Sequence, residues 1–269
     1  SSAASDVYKR QPEYGAFICG NQIQLDVSKE NFISVINVFN QIEAAKAYLF
    51  ANSEFPDSSW NTKIARDIFW EQSMHGILQE NAGVNLKDFQ NEDEFFSYLG
   101  KSAVFTAKRG DQDYYFFPIP AIDYLSHEKI KAYNLSGETV ELTPKQEDFE
   151  NHRSYQYQDL TTRGTVEFRS VCAQPFDRTF ISAAFHLGIL ANLENVQKYL
   201  QETDFFKKEG RNYKQLRQKF SKKEISRSAA THVRNFANDL IQLAIVGLVA
   251  RNNGEEFYLK NLIVKEKEE

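Results

Sequence analysis

Two segments of the chain alternate between apolar and polar residues with the period of two that is typical of a β-strand. In residues 161–171, Val166 and Phe168 point to one face, and the opposite face carries Arg163, Thr165, Glu167 and Arg169. In residues 17–27, the apolar face consists of Phe17, Cys19, Ile23, Leu25 and Val27, and the polar face consists of Gly20, Gln22, Gln24 and Asp26. The alternation predicts two half-buried strands, each with one polar face.

Other segments repeat their apolar residues with the spacing of an α-helix. Helices are predicted over residues 28–51, 62–72, 91–101, 177–201 and 225–251, the last with a C-cap at Asn252-Asn253-Gly254. The aromatic pattern of residues 113–118 predicts a strand that ends at Pro118-Ile119-Pro120. Residues 126–150 are polar and poorly patterned, and we predict connecting loops and an edge strand there. The first polar-faced strand is therefore followed by a crossover helix.

The composition excludes several classes of protein. Aromatic residues make up 14% of the chain, which excludes general disorder, and the net charge of -5 gives no overall attraction to nucleic acid or to an anionic membrane. No apolar run reaches transmembrane length, and the two cysteines, Cys19 and Cys172, suit a reducing cytosol as free buried thiols. We therefore predict a cytoplasmic protein without a nucleic-acid or membrane partner.

One basic segment has two interpretations. Residues 207–234 hold ten lysine and arginine residues against two glutamates, and Tyr213 and Phe220 are the interleaved aromatic residues. Such a segment is typical of the solvated outer face of helices, and the alternative is a contact with RNA. Because interleaved aromatic residues are few, we favour the helical face.

The polar face of the second strand places a carboxylate between guanidinium groups, because Glu167 stands between Arg163 and Arg169. A surface strand could carry these three residues as a solvated ladder of charges. Alternatively, Glu167 could supply an oxygen ligand for Mg²⁺, and Arg169 could hold carboxylate or phosphoryl oxygens. The spacing alone leaves both interpretations open.

Four other polar positions are equally open on their spacing. Gln22 and Gln24 line either a plain exterior strand or the wall of a polar cleft. Arg66, among apolar neighbours, is typical of a snorkelling side chain or of an ion pair with an adjacent carboxylate. His152 is typical of a structural or surface histidine, because the chain contains no zinc-binding motif. The chain also lacks a P-loop or Rossmann glycine set, so any nucleotide must be held by another architecture.

Five short motifs occur in order between Pro12 and Glu256, at residues 19–26, 50–55, 65–70, 150–152 and 163–169. In sequence and separation they resemble the glutamate-cysteine ligase and carboxylate-amine ligase family, in its bacterial and plant-like form. The resemblance implies an α+β, glutamine-synthetase-like catalytic fold, in which an antiparallel sheet forms a funnel backed by helices. ATP enters one end of such a funnel and the amino acid the other, with Mg²⁺ between them.

The resemblance also implies a reaction. ATP phosphorylates the γ-carboxylate of L-glutamate, and the amine of L-cysteine attacks the γ-glutamyl phosphate to form γ-glutamylcysteine, the first step of glutathione synthesis. The expected cofactors are ATP and Mg²⁺, and the expected partners are the small substrates. A ligase for another amine and a non-catalytic binding module remain alternatives.

The resemblance carries roles to individual residues. Glu167 and Gln22 correspond to metal ligands, and Arg169 and Arg66 correspond to arginines that act on substrate or on the transferred phosphoryl group. Gln24, Arg163 and His152 correspond to substrate or ATP contacts. These assignments make Arg169 and Arg66 the predicted catalytic residues.

The start of the chain carries a separate expectation. Residues 1–11 match the translation of a transposon adaptor used to build sequencing libraries, codon by codon, and the alternative is a natural polar tail. Residues 12–269 are then the C-terminal portion of a single catalytic ligase domain. Family members begin with a glutamate-rich strand that supplies further Mg²⁺ ligands, so the resemblance implies that this fragment alone is inactive.

Overall fold

The computed structural model describes residues 18–55, 59–152, 154–260 and 262, which form two compact units. The first unit contains residues 66–83 and 89–156, and the second contains residues 19–65, 84–88 and those from 157 onward. The predicted adaptor segment lies outside the described residues. The single catalytic domain predicted over residues 12–269 stays a prediction.

Helices and mainly antiparallel strands make up the described chain, in agreement with the α+β class. The strands are β1 (Gly20–Asp26), β2 (Ala82–Gly83), β3 (Ala103–Arg109), β4 (Gln112–Pro120), β5 (Ile130–Asn134), β6 (Thr139–Leu142), β7 (Tyr155–Gln156), β8 (Gln158–Leu160) and β9 (Thr165–Cys172). The helices are α1 (Phe32–Gln41), α2 (Glu43–Phe50), α3 (Ala65–Gln72), α4 (Glu92–Leu99), α5 (Ala121–Tyr124), α6 (Thr179–Ala191), α7 (Leu193–Glu202), α8 (Asp204–Glu209), α9 (Tyr213–Phe220) and α10 (Arg227–Arg251). Short 3₁₀ segments cover residues 74–76, 146–151, 176–178 and 255–258.

The second unit is built on a three-stranded antiparallel sheet in the order β1, β9, β8. The apolar face of β9 is fully buried, because Val166 and Phe168 are both 0% exposed. Phe168 packs on Phe39 of α1, with ring centroids 4.2 Å apart, and on His186 of α6. One face of the sheet is therefore closed by helices, and the polar residues are left on the other face.

His186 is a neutral member of this core. Burial lowers the pKa of its imidazole to about 3, and Nδ1 donates a hydrogen bond of 2.7 Å to the Ser182 carbonyl. Its ring stacks on Phe39 at 5.2 Å, in an interplanar angle of 8°. The histidine therefore serves as an aromatic packing residue in this unit.

Helices α6 and α10 of the second unit cross with their backbones in contact. A Cβ atom on Gly188 would overlap the Ala244 carbonyl, and a Cβ atom on Gly247 would overlap the Gly188 carbonyl. Both clashes involve main-chain atoms, which cannot turn aside as a flexible side chain can. The two glycines therefore set the distance between the helices.

We expect Gly188→Ala to lower the free energy of unfolding by about 1–3 kcal/mol, because the added methyl group forces two packed helices apart. Chemical denaturation measures the change. Val249→Ala is the control on the same helix pair, since Val249 is 55% exposed and its truncation should change stability by less than about 0.5 kcal/mol. Equal effects of the two variants would contradict the close helix contact.

Helix α10 also has the length and composition of a membrane span, with a mean hydropathy of 1.2 over its best window. The core helix of a soluble protein passes the same test, and 44% of that window is buried. Its buried stripe includes Val233, Phe236 and Leu240, which are 0–1% exposed within the second unit. The stripe belongs to the core, and cytoplasmic localisation stays a prediction.

The first unit contains a four-stranded antiparallel sheet in the order β3, β4, β5, β6. Beside it, Asp148 accepts hydrogen bonds from both terminal nitrogens of Arg109 and from the Tyr124 hydroxyl at 2.8 Å. Burial, followed by the hydrogen bond to Asp148, raises the pKa of the Tyr124 phenol. The hydrogen bonds of Asp148 with Arg109 and Tyr124 tie the 3₁₀ segment 146–151 to the sheet.

Several local predictions were wrong. The helices predicted over 28–51 and 177–201 are each two helices, interrupted at Ile42 and Asn192. The edge strand predicted within residues 126–150 corresponds to β6, whereas β5 was not predicted. Strand β4 continues through Pro118 to Pro120, in a part of the ladder where the β3–β4 register shifts. Cys19 is exposed, whereas Cys172 is buried as predicted.

Candidate functional site

The polar face of the β1–β9 pair brings together three of the predicted site residues. Gln24 lies directly opposite Glu167 in the antiparallel register, and its Nε2 donates to Glu167 Oε2 at 2.6 Å. Arg163 Nη2 donates to the other end of the amide, Gln24 Oε1, at 2.9 Å. The glutamine therefore bridges the carboxylate and the guanidinium group.

Arg169 completes the same cluster from the next polar position of β9. Its Nε donates to Glu167 Oε1 at 3.0 Å, and its Nη2 lies 2.7 Å from the same oxygen. The Nη2 group also contacts Asp159 Oδ2 at 3.3 Å. A guanidinium group between two carboxylates forms charge-assisted hydrogen bonds with a fixed orientation.

Asp159 is the site residue that the sequence analysis missed. It pairs with Glu167 in the β8–β9 register, so the two carboxylates stand side by side on neighbouring strands. The side chains of Asp159, Glu167 and Arg169 are only 11–13% exposed. Gly164 was a signal for a turn, but residues 158–160 (Gln-Asp-Leu) carry no alternating pattern that would have predicted a strand before it.

That turn corrects the prediction for Arg163. The predicted strand began at Thr161, whereas β9 begins at Thr165, and Arg163 lies in the hairpin turn. Gly164 has φ of +78°, a conformation that favours glycine, and the Thr161 N–H donates to the Thr165 carbonyl at 2.8 Å. The guanidinium group still reaches the polar face from the turn.

Gln22, the second predicted metal ligand, lies at an irregularity in the sheet. Between the pairs Asn21–Val171 and Ile23–Phe168, β1 has one residue and β9 has two, Arg169 and Ser170. This is a β-bulge in β9. Gln22 is exposed on the same alternating face of β1 as Gln24, so it borders the cluster.

Below the sheet lies a buried charged network that the sequence analysis did not identify. Glu43 of α2 contacts Lys46 Nζ at 2.6 Å and Arg217 Nη1 at 2.7 Å, and all three side chains are at most 3% exposed. Gln158 of β8 donates to Glu43 Oε1, and Arg217 Nη2 donates to the Ser170 carbonyl at 3.0 Å. The network ties the helices to β8 and β9.

Arg217 also corrects the interpretation of the basic segment 207–234. Its guanidinium carbon lies 4.7 Å from the Tyr157 ring, and its charge is turned into the core. Lys207 and Lys208 are exposed, as the solvated-face interpretation predicts. The segment therefore contains both exposed lysines on an outer face and a buried arginine in the core.

Two predicted site residues, Arg66 and His152, belong to the first unit. Arg66 is buried, 3% exposed, so the snorkelling interpretation was wrong because a snorkelling side chain keeps its charge in water. His152 Nε2 lies 3.3 Å from Ser102 Oγ, and Ser102 Oγ donates to the Leu99 carbonyl at 2.6 Å. Because the Leu99 carbonyl accepts the only hydroxyl proton of Ser102, His152 Nε2 is the donor in its contact with Ser102 Oγ.

The donor set of the β1–β9–β8 cluster is suited to one hard cation. Asp159 of β8 and Glu167 of β9 offer carboxylate oxygens, and Gln22 and Gln24 of β1 have amide oxygens. Mg²⁺ is commonly held by one or two carboxylates together with water and phosphate oxygens. Across the described parts of the chain, no three His, Cys, Asp or Glu residues form a closed metal cage.

Comparison with known proteins adds no assignment: no protein-family model matches the chain, and no curated protein matches it. Any function proposed for the chain therefore depends on its own residues.

Proposed function

We propose that the chain belongs to an ATP-dependent carboxylate-amine ligase that joins the γ-carboxylate of L-glutamate to the amine of L-cysteine through γ-glutamyl phosphate. The observation that carries the proposal is the cluster of Gln24, Asp159, Glu167 and Arg169 on one polar sheet face. The cluster combines hard oxygen ligands with a positioned arginine, which phosphoryl transfer and amide formation both require.

Glu167 and Asp159 are the proposed carboxylate ligands of Mg²⁺, with Gln22 as a neutral ligand from β1. When bound, Mg²⁺ neutralises charge on phosphate oxygens. Both oxygens of Glu167 now accept hydrogen bonds, from Gln24 and from Arg169. Ligand binding would therefore exchange a hydrogen bond for a metal contact, with Gln24 turning to ATP.

Arg169 is the proposed stabiliser of negative charge on the substrate carboxylate or on the transferred phosphoryl group. Two carboxylates hold its guanidinium group in place before substrate binds, which reduces the reorganisation that binding requires. Arg163, from the hairpin turn, adds a second cation at the rim. By the resemblance alone, Arg66 corresponds to an arginine at the substrate end and His152 to a substrate or ATP contact.

A glutamine-synthetase-like fold belongs to the same proposal. An antiparallel sheet with helices on its apolar face and ligands on its polar face supports it. A non-catalytic binding module is the second candidate, because the cluster already satisfies its own charges as a structural ladder would. A ligase for a different amine uses the same residues and differs in the amine pocket.

The direct test is the release of ADP in the presence of Mg²⁺, glutamate and cysteine. We expect ADP release that depends on both glutamate and cysteine. Turnover with no preference for cysteine supports the ligase for another amine. ADP release no higher than in the absence of glutamate contradicts the ligase and supports the binding module.

A binding measurement tests the metal site without turnover. We expect Glu167→Gln to weaken Mn²⁺ binding, followed by its paramagnetic resonance signal, by at least about tenfold to a hundredfold. Glu141→Gln is the matched control, since Glu141 is exposed on β6 of the other unit. Equal Mn²⁺ affinity in all three proteins would exclude the proposed role of Glu167.

A further inference from the structure

A second group of reactive side chains lies in the helical part of the second unit, where α8 ends and α10 begins. Ser228 Oγ lies 3.4 Å from His232 Nε2, one helical turn further along α10. His232 Nδ1 lies 2.6 Å from Glu209 Oε1, at the end of α8. A hydroxyl, an imidazole and a carboxylate are therefore linked in series.

The carboxylate fixes the tautomer of the imidazole. Burial alone would raise the pKa of Glu209, but hydrogen bonds with His232 and Lys219 hold it below its ordinary value. An ionised carboxylate only accepts hydrogen bonds, so His232 Nδ1 carries the proton. In the neutral imidazole Nε2 is then an acceptor, and it faces the Ser228 hydroxyl.

The exposure to solvent increases from Glu209 through His232 to Ser228. Glu209 is half-buried, with a side chain 6% exposed, and the His232 side chain is 25% exposed. Ser228 is exposed in the first turn of α10. An oriented base with an accessible hydroxyl is the arrangement that activates a serine, and the distances between such groups are often long before substrate binds.

A cavity of about 360 Å³ adjoins the histidine. Its charged lining consists of Glu202, Asp204 and Asp239 against Lys208 and His232. Phe205 and Phe236, whose rings stack at 4.1 Å, form its apolar wall. With three carboxylates against two basic side chains, the cavity favours a small group that carries positive charge.

We propose that Ser228, His232 and Glu209 form an acyl-transfer site for small esters that carry a cationic group. Ser228 Oγ bonds to the acyl carbon while its proton passes to His232 Nε2. The carbon–oxygen bond to the alcohol then breaks, and the alcohol leaves with that proton. Water, deprotonated by the same nitrogen, releases the acyl group as a carboxylic acid and restores the serine.

The first turn of α10 supplies a favourable setting for the oxyanion. Helix N-terminal N–H groups have no intrahelical acceptor, and the helix dipole is positive at that end. Ser226, the N-cap, accepts from the Ala229 N–H at 3.3 Å and so keeps this end ordered. Glu209 is a positioning residue, since it acts through His232.

The test uses the full chain without ATP or Mg²⁺, so its result is independent of the proposed ligase. We expect a fluorophosphonate probe to label Ser228, as located by peptide mass spectrometry, and p-nitrophenyl 6-aminohexanoate to be cleaved faster than p-nitrophenyl hexanoate. Ser228→Ala should abolish labelling. His232→Gln should slow it by at least about a hundredfold, the usual contribution of a general base.

Matched variants separate chemistry from folding. Ser136→Ala removes another exposed hydroxyl and should leave labelling unchanged, and Glu209→Asp should restore part of the rate lost in Glu209→Ala. Thermal unfolding confirms that each variant is folded. No labelling of the folded wild-type chain, or an equal labelling rate in His232→Gln, would overturn the proposal.

Discussion

Replacing Glu43 with alanine is expected to lower the free energy of unfolding by about 3–5 kcal/mol, the range found when one partner of a buried ion pair is removed. Glu43 is 0% exposed and contacts both Lys46 and Arg217. Without it, two cations remain inside the second unit and lose a shared carboxylate. Gln158 also loses the closer of its two amide acceptors and keeps only the Phe39 carbonyl, at 3.3 Å.

Urea denaturation, monitored by circular dichroism, measures this loss. Glu30→Ala is the control, because Glu30 is an exposed carboxylate and its removal should leave the free energy of unfolding nearly unchanged. A change below about 1 kcal/mol for Glu43→Ala would mean that water or another group compensates the cations. The network would then be dispensable for the β8–β9 contact.

Replacing Arg169 with lysine is expected to lower the rate of ADP release by about a hundredfold to a thousandfold. That range follows the loss of one donor to a developing negative charge. Lysine keeps the charge, but it cannot present two nitrogens in a plane to Glu167 and Asp159 together. The substitution therefore removes the fixed orientation of the Arg169 donors and keeps the positive charge.

Arg251→Lys is the matched control, since Arg251, at the end of α10, forms a partly exposed ion pair with Glu255 of the 3₁₀ segment 255–258. It should leave the rate unchanged. Asp159→Asn is an informative companion, because it retains the shape of the side chain but weakens the hold on Arg169. A rate for Arg169→Lys within about twofold of the wild type would remove Arg169 from the proposed machinery.

The sequence predicted the polar-faced strands because both carry a period-two pattern that survives in the structure. Gln24, Glu167 and Arg169 were placed on polar faces, and antiparallel pairing then brought them into contact. The C-cap at Asn252 was also predicted, and that residue adopts the left-handed conformation. The local sequence pattern alone was sufficient to predict these features.

Features that depend on pairing between distant segments could not be predicted in the same way. Asp159 became a site residue only through its register with Glu167 across a hairpin. The two long helices were interrupted at Ile42 and Asn192, where apolar spacing gives no warning. The buried role of Glu43 was not identified, because its partner Arg217 is distant in sequence.

The β-bulge at Arg169 and Ser170 decides which face of β9 Val171 occupies. Val171 pairs with Asn21 because Arg169 and Ser170 together lie opposite the single residue Gln22. In a regular ladder of the same sequence, strict alternation would turn Val171 onto the polar face and out of the core, where it is now 1% exposed. Strand β9 could therefore lose one of these two residues and keep Val171 inside, whereas at its present length it keeps Val171 inside only as long as the bulge persists.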